Sequence, residues 1–236
     1  MNQRSILTPV GYQPNYRYPL IIWLHGDGGA ERQVHRVAPH ISTRNYVFAG
    51  VRGVQASDIR GSRFEWPASR RCVAAATDAV FETIDEVCEK HAIHTDRILL
   101  AGYQSGATMA CRIALKHPDR FGGLVRMSGQ FPSGQHVMAD LTRLRQRRLP
   151  MLWQQAINGS DDDSTELSRD LQLARCLRAR LEVRQYVGDD VMNDVALRDI
   201  DRWCFDNIIC PRPEGSADDA SALSLVDTTP LAFSLN

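Results

Sequence analysis

A short glycine-flanked segment in the middle of the chain could hold a catalytic group. Residues 97–101 form an apolar run typical of a buried strand, and a helical pattern begins near residue 105. A sharp strand-to-helix turn between them would be a nucleophile elbow, which strains its apex residue and needs small residues two positions before and after it. Gly102 and Gly106 meet that need around Gln104. The predicted apex therefore carries an amide, which is not a nucleophile.

Ser105 is the alternative nucleophile at this turn. An elbow centred on Ser105 would place Tyr103 and Ala107 at the two tight positions, where tyrosine fits poorly. It would also need an improvised base such as His25 or His136. The competing interpretation places Ser105 in the first helical turn, with its hydroxyl bonded to the backbone. We expect the second arrangement and keep catalysis by Ser105 as the alternative hypothesis.

Alternating strands and helices must position this turn. The apolar runs that predict strands cover 20–25, 45–51, 97–101, 123–127, 150–156 and 181–187. Helical spacing fills the gaps between them, most clearly over 68–91 and over 105–117, and Pro118 ends the second of these helices. The pattern predicts an α/β protein, a three-layer α/β/α sandwich with a mostly parallel sheet.

Several segments, taken in order, resemble the α/β-hydrolase superfamily, in particular its phospholipase/carboxylesterase, depolymerase-like branch. An apolar strand from residue 18 runs into the glycine-rich turn 25–29, the elbow follows, and the segments 114–121 and 123–129 come next. The resemblance covers roughly residues 5–208. It implies the α/β-hydrolase fold and, for an intact member, ester hydrolysis by a nucleophile, an acid and a histidine in that chain order.

The resemblance assigns the three catalytic positions and implies that two are substituted. Gln104 takes the nucleophile position. No histidine follows His136, and Asp190 lies where the family has its histidine. A carboxylate with an ordinary pKa of about 4 is a much weaker base than an imidazole with a pKa of about 6.5.

The acid position falls in a run of aspartates. Any of three residues could serve, with Asp161 the first: Asp161, Asp162 and Asp163. The preferred interpretation is that Asp163 or Ser164 instead caps the helix that follows. A metal site built from these aspartates and those at 189 and 190 is less expected than a solvated acidic rim.

The anion-stabilising part of the site is intact in sequence. In the family, amides of the glycine-rich turn, here Gly26 and Asp27, form an oxyanion hole with the amide of the residue after the nucleophile, here Ser105. These amides could bind a carbonyl or carboxylate without catalysis. If the Gln104 side chain bonded to them, it would mimic a bound carbonyl and close the site. Trp66 lies in a loop that walls the family's pocket, so it either contacts a ligand or packs on the sheet.

The composition of the chain limits its expected domain organisation, partners and cofactors. The chain of 236 residues fits one domain over 1–210, and the Ser/Thr-rich composition of 211–236 predicts a disordered tail. A formal net charge of +0 gives no indication of nucleic acid or an anionic membrane as partner. The six cysteines lack paired metal-binding spacing, so we expect neither a metal nor another cofactor. No apolar run approaches the roughly 20 residues of a membrane span, and a soluble cytoplasmic protein is the default expectation.

The sequence thus predicts a carboxylesterase-like pseudoenzyme. Its expected role is to bind a small ester or carboxylate, or a protein partner, at a site with a substituted nucleophile (Gln104) and a substituted histidine (Asp190). The alternative is an active serine esterase, a carboxylic ester hydrolase that uses Ser105.

Overall fold

The computed structural model describes residues 3–132, 140–157, 161–211 and 223–225, without the side chains of residues 161–164 and 223–225. The strands are β1 (Arg4–Leu7), β2 (Tyr18–Leu24), β3 (Val47–Val51), β4 (Gln55–Ala56), β5 (Phe64–Glu65), β6 (Ile93–Tyr103), β7 (Gly123–Met127), β8 (Pro150–Ile157), β9 (Arg180–Val187) and β10 (Leu223–Leu225). The α-helices are α1 (Gln33–Ile41), α2 (Arg70–Lys90), α3 (Ser105–Lys116), α4 (Leu141–Arg147), α5 (Asp161–Cys176) and α6 (Asp194–Cys204).

One eight-stranded sheet in the order β1-β3-β2-β6-β7-β8-β9-β10 forms the centre of the protein. All of its neighbouring strands are parallel except β1, which pairs antiparallel with β3. The strands β4 and β5 form a separate antiparallel hairpin. The predicted mostly parallel sheet is therefore confirmed.

Two hydrophobic clusters lie on the two faces of this sheet. The first contains buried residues of α2, α3, α4 and α5, and the second contains buried residues of α1 and α6. Strand β2 shows why both faces are covered, since Ile22 belongs to the first cluster and its neighbours Ile21 and Trp23 to the second. Burying such a side chain stabilises the fold by about 1.5–3 kcal/mol. These layers are the predicted α/β/α sandwich.

The element bounds confirm most of the sequence predictions. Each of the six predicted apolar runs overlaps a strand, and the predicted helices over 68–91 and 105–117 are α2 and α3. Helix α2 begins after Ser69, whose side chain accepts a hydrogen bond from the amide of Cys72. A Pro-initiated 3-10 turn, Pro118–Arg120, follows α3 as the position of Pro118 predicts.

One prediction is wrong. Helix α5 begins at Asp161, so Asp163 and Ser164 lie inside the helix and do not cap it. Within residues 211–236, for which disorder stays a prediction, β10 at Leu223–Leu225 pairs parallel with β9 and extends the sheet by one strand. The tail segments 212–222 and 226–236 lie outside the described residues. Across the part of the chain that the structure describes, no helix is both long enough and apolar enough to cross a membrane.

Candidate catalytic site

The turn between β6 and α3 has the geometry of an elbow with Gln104 at its apex. Gln104 has φ 50° and ψ −123°, a backbone conformation that side-chain-bearing residues rarely adopt. A β-carbon at Gly102 would come within 2.6 Å of the Gly106 carbonyl, and one at Gly106 would overlap the carbonyl oxygen of His25. The two glycines therefore let β6, α3 and the end of β2 pack closely around the apex.

The side chain of Gln104 turns back onto the glycine-rich turn after β2. The backbone amide of Asp27 donates a hydrogen bond to Oε1 of Gln104 at 3.1 Å. A β-carbon at Gly26 would lie 2.7 Å from the same oxygen, so glycine leaves the room that the amide needs. An amide oxygen thus occupies a donor position that, by resemblance to the family, belongs to the oxyanion hole.

His25 holds this turn and uses both ring nitrogens to do so. Its Nδ1 lies 2.8 Å from the carbonyl oxygen of Gly26, and its Nε2 accepts a hydrogen bond from the amide of Gly53 at 2.9 Å. These partners fix the neutral ring with the proton on Nδ1. Burial lowers the pKa of His25, which favours the same neutral form. Its geometry agrees with the turn-holding role rather than with base catalysis.

Gln33 also supports the turn, although no sequence pattern predicted this contact. Its Oε1 accepts hydrogen bonds from the amide of Gly26 at 3.2 Å and from Nε1 of Trp23 at 2.9 Å. Because Gln33 begins α1, the first helix of the fold is tied directly to the glycine-rich turn. A glutamine at a helix start has no distinctive spacing that would have identified this contact.

Ser105 is the first residue of α3, but its hydroxyl is not used as predicted. The Oγ atom is buried and has no hydrogen-bond partner among the described residues, so the expected bond to the backbone is absent there. Neither nitrogen of His25 is available to activate it. His136, the other base considered, lies outside the described residues.

Asp190 lies in the loop after β9 and contacts the elbow through Tyr103. The phenol of Tyr103 lies 2.7 Å from Oδ1 and 2.8 Å from Oδ2 of Asp190. Asp190 also accepts a hydrogen bond from the amide of Met192 at 3.0 Å. Burial and the adjacent carboxylate raise the pKa of Tyr103, which keeps the phenol protonated as the donor. The carboxylate that the resemblance assigns to the histidine position therefore contacts Tyr103, the residue before Gln104.

A cavity of about 520 Å³ opens beside the elbow. Its lining is polar and includes three carboxylates, three glutamines and three hydroxyl side chains. The lining residues are Asp27, Gln104, Ser105, Thr108, Ser128, Gly129, Gln130, Gln155, Ala156, Glu166, Gly188 and Asp189. Asp189 rather than Asp190 thus lines this cavity.

Trp66 is not among the described residues that line the cavity. Trp66 is buried, donates a hydrogen bond to the carbonyl oxygen of His25 at 2.9 Å and packs against the His25 ring. It takes the packing role of the two that the sequence left open. The side chain of Asp161, the candidate acid, is outside the described part of the chain. No group of three metal-ligating side chains lies together within the described residues.

A buried ion pair that the sequence did not reveal fixes the wall of the cavity. Nη1 of Arg126 lies 2.7 Å from Oδ2 of Asp170, and both side chains are fully buried. The same carboxylate oxygen accepts a hydrogen bond from the amide of Phe131 at 2.9 Å. The guanidinium of Arg126 also stacks over the ring of Trp153, at 4.2 Å from its centroid. These contacts tie β7, α5 and the loop carrying the cavity-lining Gln130 together.

Comparison with known proteins assigns the family from the sequence and the fold from the structure. The profile of a family described as phospholipase/carboxylesterase matches residues 17–195. Among solved structures, a carboxylesterase from Bacillus cereus superposes with a TM-score of 0.66 at 16% identity, covering 86% of this chain and 93% of that one. A phospholipase/carboxylesterase from Dyadobacter fermentans superposes with a TM-score of 0.63 at 12% identity, covering 87% and 97%. At these identities the superpositions show a shared fold.

A sequence relative is NocK, a candidate esterase of Nocardia uniformis subsp. tsuyamanensis. It is 31% identical to this chain over 121 residues. The match covers 49% of this chain and only 34% of NocK, so the chain corresponds to about a third of that relative's length.

Proposed function

Since this chain belongs to the phospholipase/carboxylesterase family of the α/β-hydrolase superfamily, we propose that it is a non-hydrolysing member that binds a ligand at the family's catalytic position. One observation carries the proposal. Gln104 occupies the elbow apex, and its Oε1 accepts the Asp27 amide at 3.1 Å. A carboxamide does not form the acyl intermediate that a serine forms. An ester carbonyl would also have to displace that amide oxygen from the Asp27 donor.

The residue at the position of the family's histidine supports the same proposal. Asp190 takes that place by resemblance, and its carboxylate accepts hydrogen bonds from Tyr103 and from the amide of Met192. General-base catalysis contributes typically about 10²–10⁴-fold to rate, and a carboxylate at neutral pH is a weak base for a hydroxyl. The chain would therefore lack both the nucleophile and the base that turnover needs.

Ester hydrolysis by Ser105 is the alternative function. It has less support, because no base among the described residues contacts the Ser105 hydroxyl. The nearby His25 is bonded to the backbone through both nitrogens. If the chain were active, its family would make it a carboxylic ester hydrolase.

The dimensions of the cavity suit a small ligand. Pockets for small molecules are typically about 300–1,000 Å³, and the cavity beside the elbow is about 520 Å³. A small ester or carboxylate ligand, a protein partner and a cytoplasmic location remain predictions from sequence. The balanced charge of the chain gives no reason to add nucleic acid to them.

The test is hydrolysis of p-nitrophenyl acetate and butyrate by purified wild-type protein, beside the Ser105→Ala variant and a protein blank. We expect wild type and Ser105→Ala to be indistinguishable from the blank. Hydrolysis by wild type that disappears in Ser105→Ala would overturn the proposal and establish the alternative.

A second variant tests whether a hydroxyl at the elbow apex would react with a probe for serine hydrolases. Gln104→Ser places a hydroxyl at the apex and frees the Asp27 amide, while the flanking glycines stay in place. We expect a fluorophosphonate probe to label Gln104→Ser slowly and to leave wild type unlabelled. Labelling of wild type at Ser105, located by peptide mass spectrometry, would contradict the proposal.

A further inference from the structure

Basic side chains gather at the edge of the sheet opposite the elbow. The stretches 116–122, 140–148 and 175–180 lead into the amino ends of β7, β8 and β9. Because these strands are parallel, their amino ends meet at one edge, whereas the elbow and the loops that line the cavity follow carboxyl ends. We call these three stretches together the basic edge.

Helix α4 joins the three stretches through its arginine side chains. Nε of Arg143 donates a hydrogen bond to Oδ2 of Asp119 at 2.6 Å, which links α4 to the first stretch. Nε of Arg145 donates to the carbonyl oxygen of Cys176 at 2.8 Å, which links α4 to the third. The arginines of α4 form only a short run in sequence, but the fold extends that run into one continuous surface.

The basic edge has a large excess of positive charge in a chain whose formal net charge is +0. It contains nine basic and two acidic residues. Of the two acids, Asp119 pairs with Arg143, and Asp140 caps α4. Within the described part of the chain, neither Arg175 nor Arg178 forms an ion pair. Since few carboxylates offset this charge, the basic edge attracts anions.

The protonation of His117 supports this distribution of charge. Burial lowers the pKa of His117, and three cations of the basic edge lower it further: Lys116, Arg120 and Arg143. Cations from two stretches thus act on a single ring, as they would in one continuous patch.

Two arginines of the basic edge have backbone conformations that favour glycine. Arg148 ends α4 with φ 45°, and Arg178, which follows α5, has φ 53°. Glycine is the usual residue at such helix ends, because a β-carbon is strained there. Strained residues of this kind cluster at functional sites, so both positions point to a use for the arginine side chain.

The composition of the basic edge favours a phosphate backbone over other anionic partners. None of the large exposed hydrophobic residues among the described residues belongs to it; these are Val10, Tyr16, Ile59, Val187, Val195 and Phe205. Protein partners and membrane surfaces usually need such residues as anchors, and single-stranded nucleic acids need exposed aromatic rings for stacking. Eight of the nine basic residues are arginines, whose planar guanidinium groups bind phosphate oxygens in pairs.

We propose that the basic edge binds the phosphate backbone of a double-stranded nucleic acid without sequence specificity. The proposal goes beyond the proposed function, because the described residues that line the cavity belong to none of the three stretches. The net charge of the chain gives no indication of this partner, since acidic residues elsewhere balance the excess at the basic edge.

The experiment measures binding of the purified protein to labelled duplex DNA of about 20 base pairs by fluorescence anisotropy. We expect a dissociation constant on the order of 1–100 μM near physiological salt, equal for two duplexes of unrelated sequence. The logarithm of the affinity should fall with the logarithm of the salt concentration with a slope of roughly −4, which corresponds to about four phosphate contacts. No binding at about 50 mM salt, or binding that does not depend on salt, overturns the proposal.

Matched variants assign the binding to the basic edge. Arg175→Gln/Arg178→Gln removes two of its charges, and Arg36→Gln/Arg44→Gln makes the same change at exposed positions in and after α1. We expect the first pair to lower the affinity about tenfold or more and to make the salt slope shallower by about two. The α1 control should leave both unchanged. Equal effects of the two pairs overturn the proposal.

Arg178→Gly separates a binding role from a structural one. Glycine relieves the strain at φ 53°, so we expect this variant to unfold at a higher urea concentration than wild type and to bind duplex DNA severalfold more weakly. Weaker binding together with lower stability would show that the arginine serves the fold, and would overturn the proposal.

Two further measurements distinguish other occupants of the basic edge. Binding to vesicles of phosphatidylserine and phosphatidylcholine in the absence of duplex binding would identify a membrane surface instead. Duplex binding that appears only in Glu214→Gln/Asp218→Asn/Asp219→Asn would identify the chain's own acidic segment, which lies outside the described residues, as the occupant. Either result overturns the proposal.

Discussion

Gly129 packs directly on the backbone of Gln104, since a β-carbon at Gly129 would overlap the Gln104 carbonyl oxygen. Gly129 has φ +68°, a conformation that favours glycine, and Ser128 before it has φ 55°. Thr108 completes the contact, because its hydroxyl donates to the carbonyl of Gln130 at 2.9 Å and accepts from the amide of Gln130 at 3.0 Å. The loop after β7 is therefore fitted to the elbow apex.

Gly129→Ala is predicted to cost much more stability than the same change at Gly11. Both glycines have a positive φ, at +68° and +73°, but nothing lies within 4 Å of a β-carbon at Gly11. Gly11→Ala therefore carries only backbone strain, about 1 kcal/mol. Gly129→Ala adds a clash with the Gln104 backbone. Urea denaturation of the two variants measures the difference, and equal losses would mean that the loop yields freely.

Gln104→Gly is predicted to be more stable than Gln104→Ala, by about 1 kcal/mol. Both variants lose the bond to the Asp27 amide, so they differ only in how the residue tolerates φ 50° and ψ −123°. Glycine adopts this conformation without a side-chain clash, which outweighs its larger entropy in the unfolded chain. The denaturation midpoints of the two proteins provide the measurement. The opposite order would show that the apex is not strained.

Asp170→Asn is predicted to lower the free energy of unfolding by about 3–5 kcal/mol, because it leaves the buried Arg126 charge without a counter-ion. The control is Asp119→Asn, which breaks a half-exposed pair with Arg143 and should cost less than about 1 kcal/mol. Chemical denaturation monitored by tryptophan fluorescence tests both variants. Similar small losses in the two proteins would contradict the prediction.

Stability is predicted to fall as the pH is lowered from about 7 to about 5. Burial lowers the pKa of His25 and, with nearby cations, that of His117, relative to 6.5. Below pH 6.5 the unfolded chain therefore binds protons that the folded chain does not, and each group contributes at most about 1.4 kcal/mol per pH unit. His117→Asn should reduce the slope without disturbing the elbow. Urea midpoints across this range provide the measurement, and a wild-type stability that rose on acidification would refute it.

Strong local patterns made most of the sheet predictable. The seven residues of β2 are all buried, which is why their unbroken apolar run predicts a central strand of a parallel sheet. Gly102 and Gly106 likewise identified the turn at Gln104, because only glycine permits the close approach found there. These features depend on residues that are near one another in sequence.

Features that depend on distant partners were not predictable in the same way. The charges of Arg126 and Asp170 look like surface charges until β7 and α5 pack together and bury both. The strand at Leu223–Leu225 pairs with β9, a partner distant in sequence that the composition around residue 223 does not indicate. The start of α5 at Asp161 shows a similar limit, because Asp163 and Ser164 are suitable caps that the helix does not use.

The hydrogen bonds from Tyr103 to Asp190 connect the residue beside Gln104 to Asp190, so they link the two positions that we propose to be substituted catalytic positions. A histidine at 190 would inherit a phenol already directed at its ring, and a serine at 104 would follow that same tyrosine in the chain. Restoring a serine and a histidine on this scaffold would therefore take at least two replacements, Gln104→Ser and Asp190→His. No single substitution would therefore restore both the serine and the histidine.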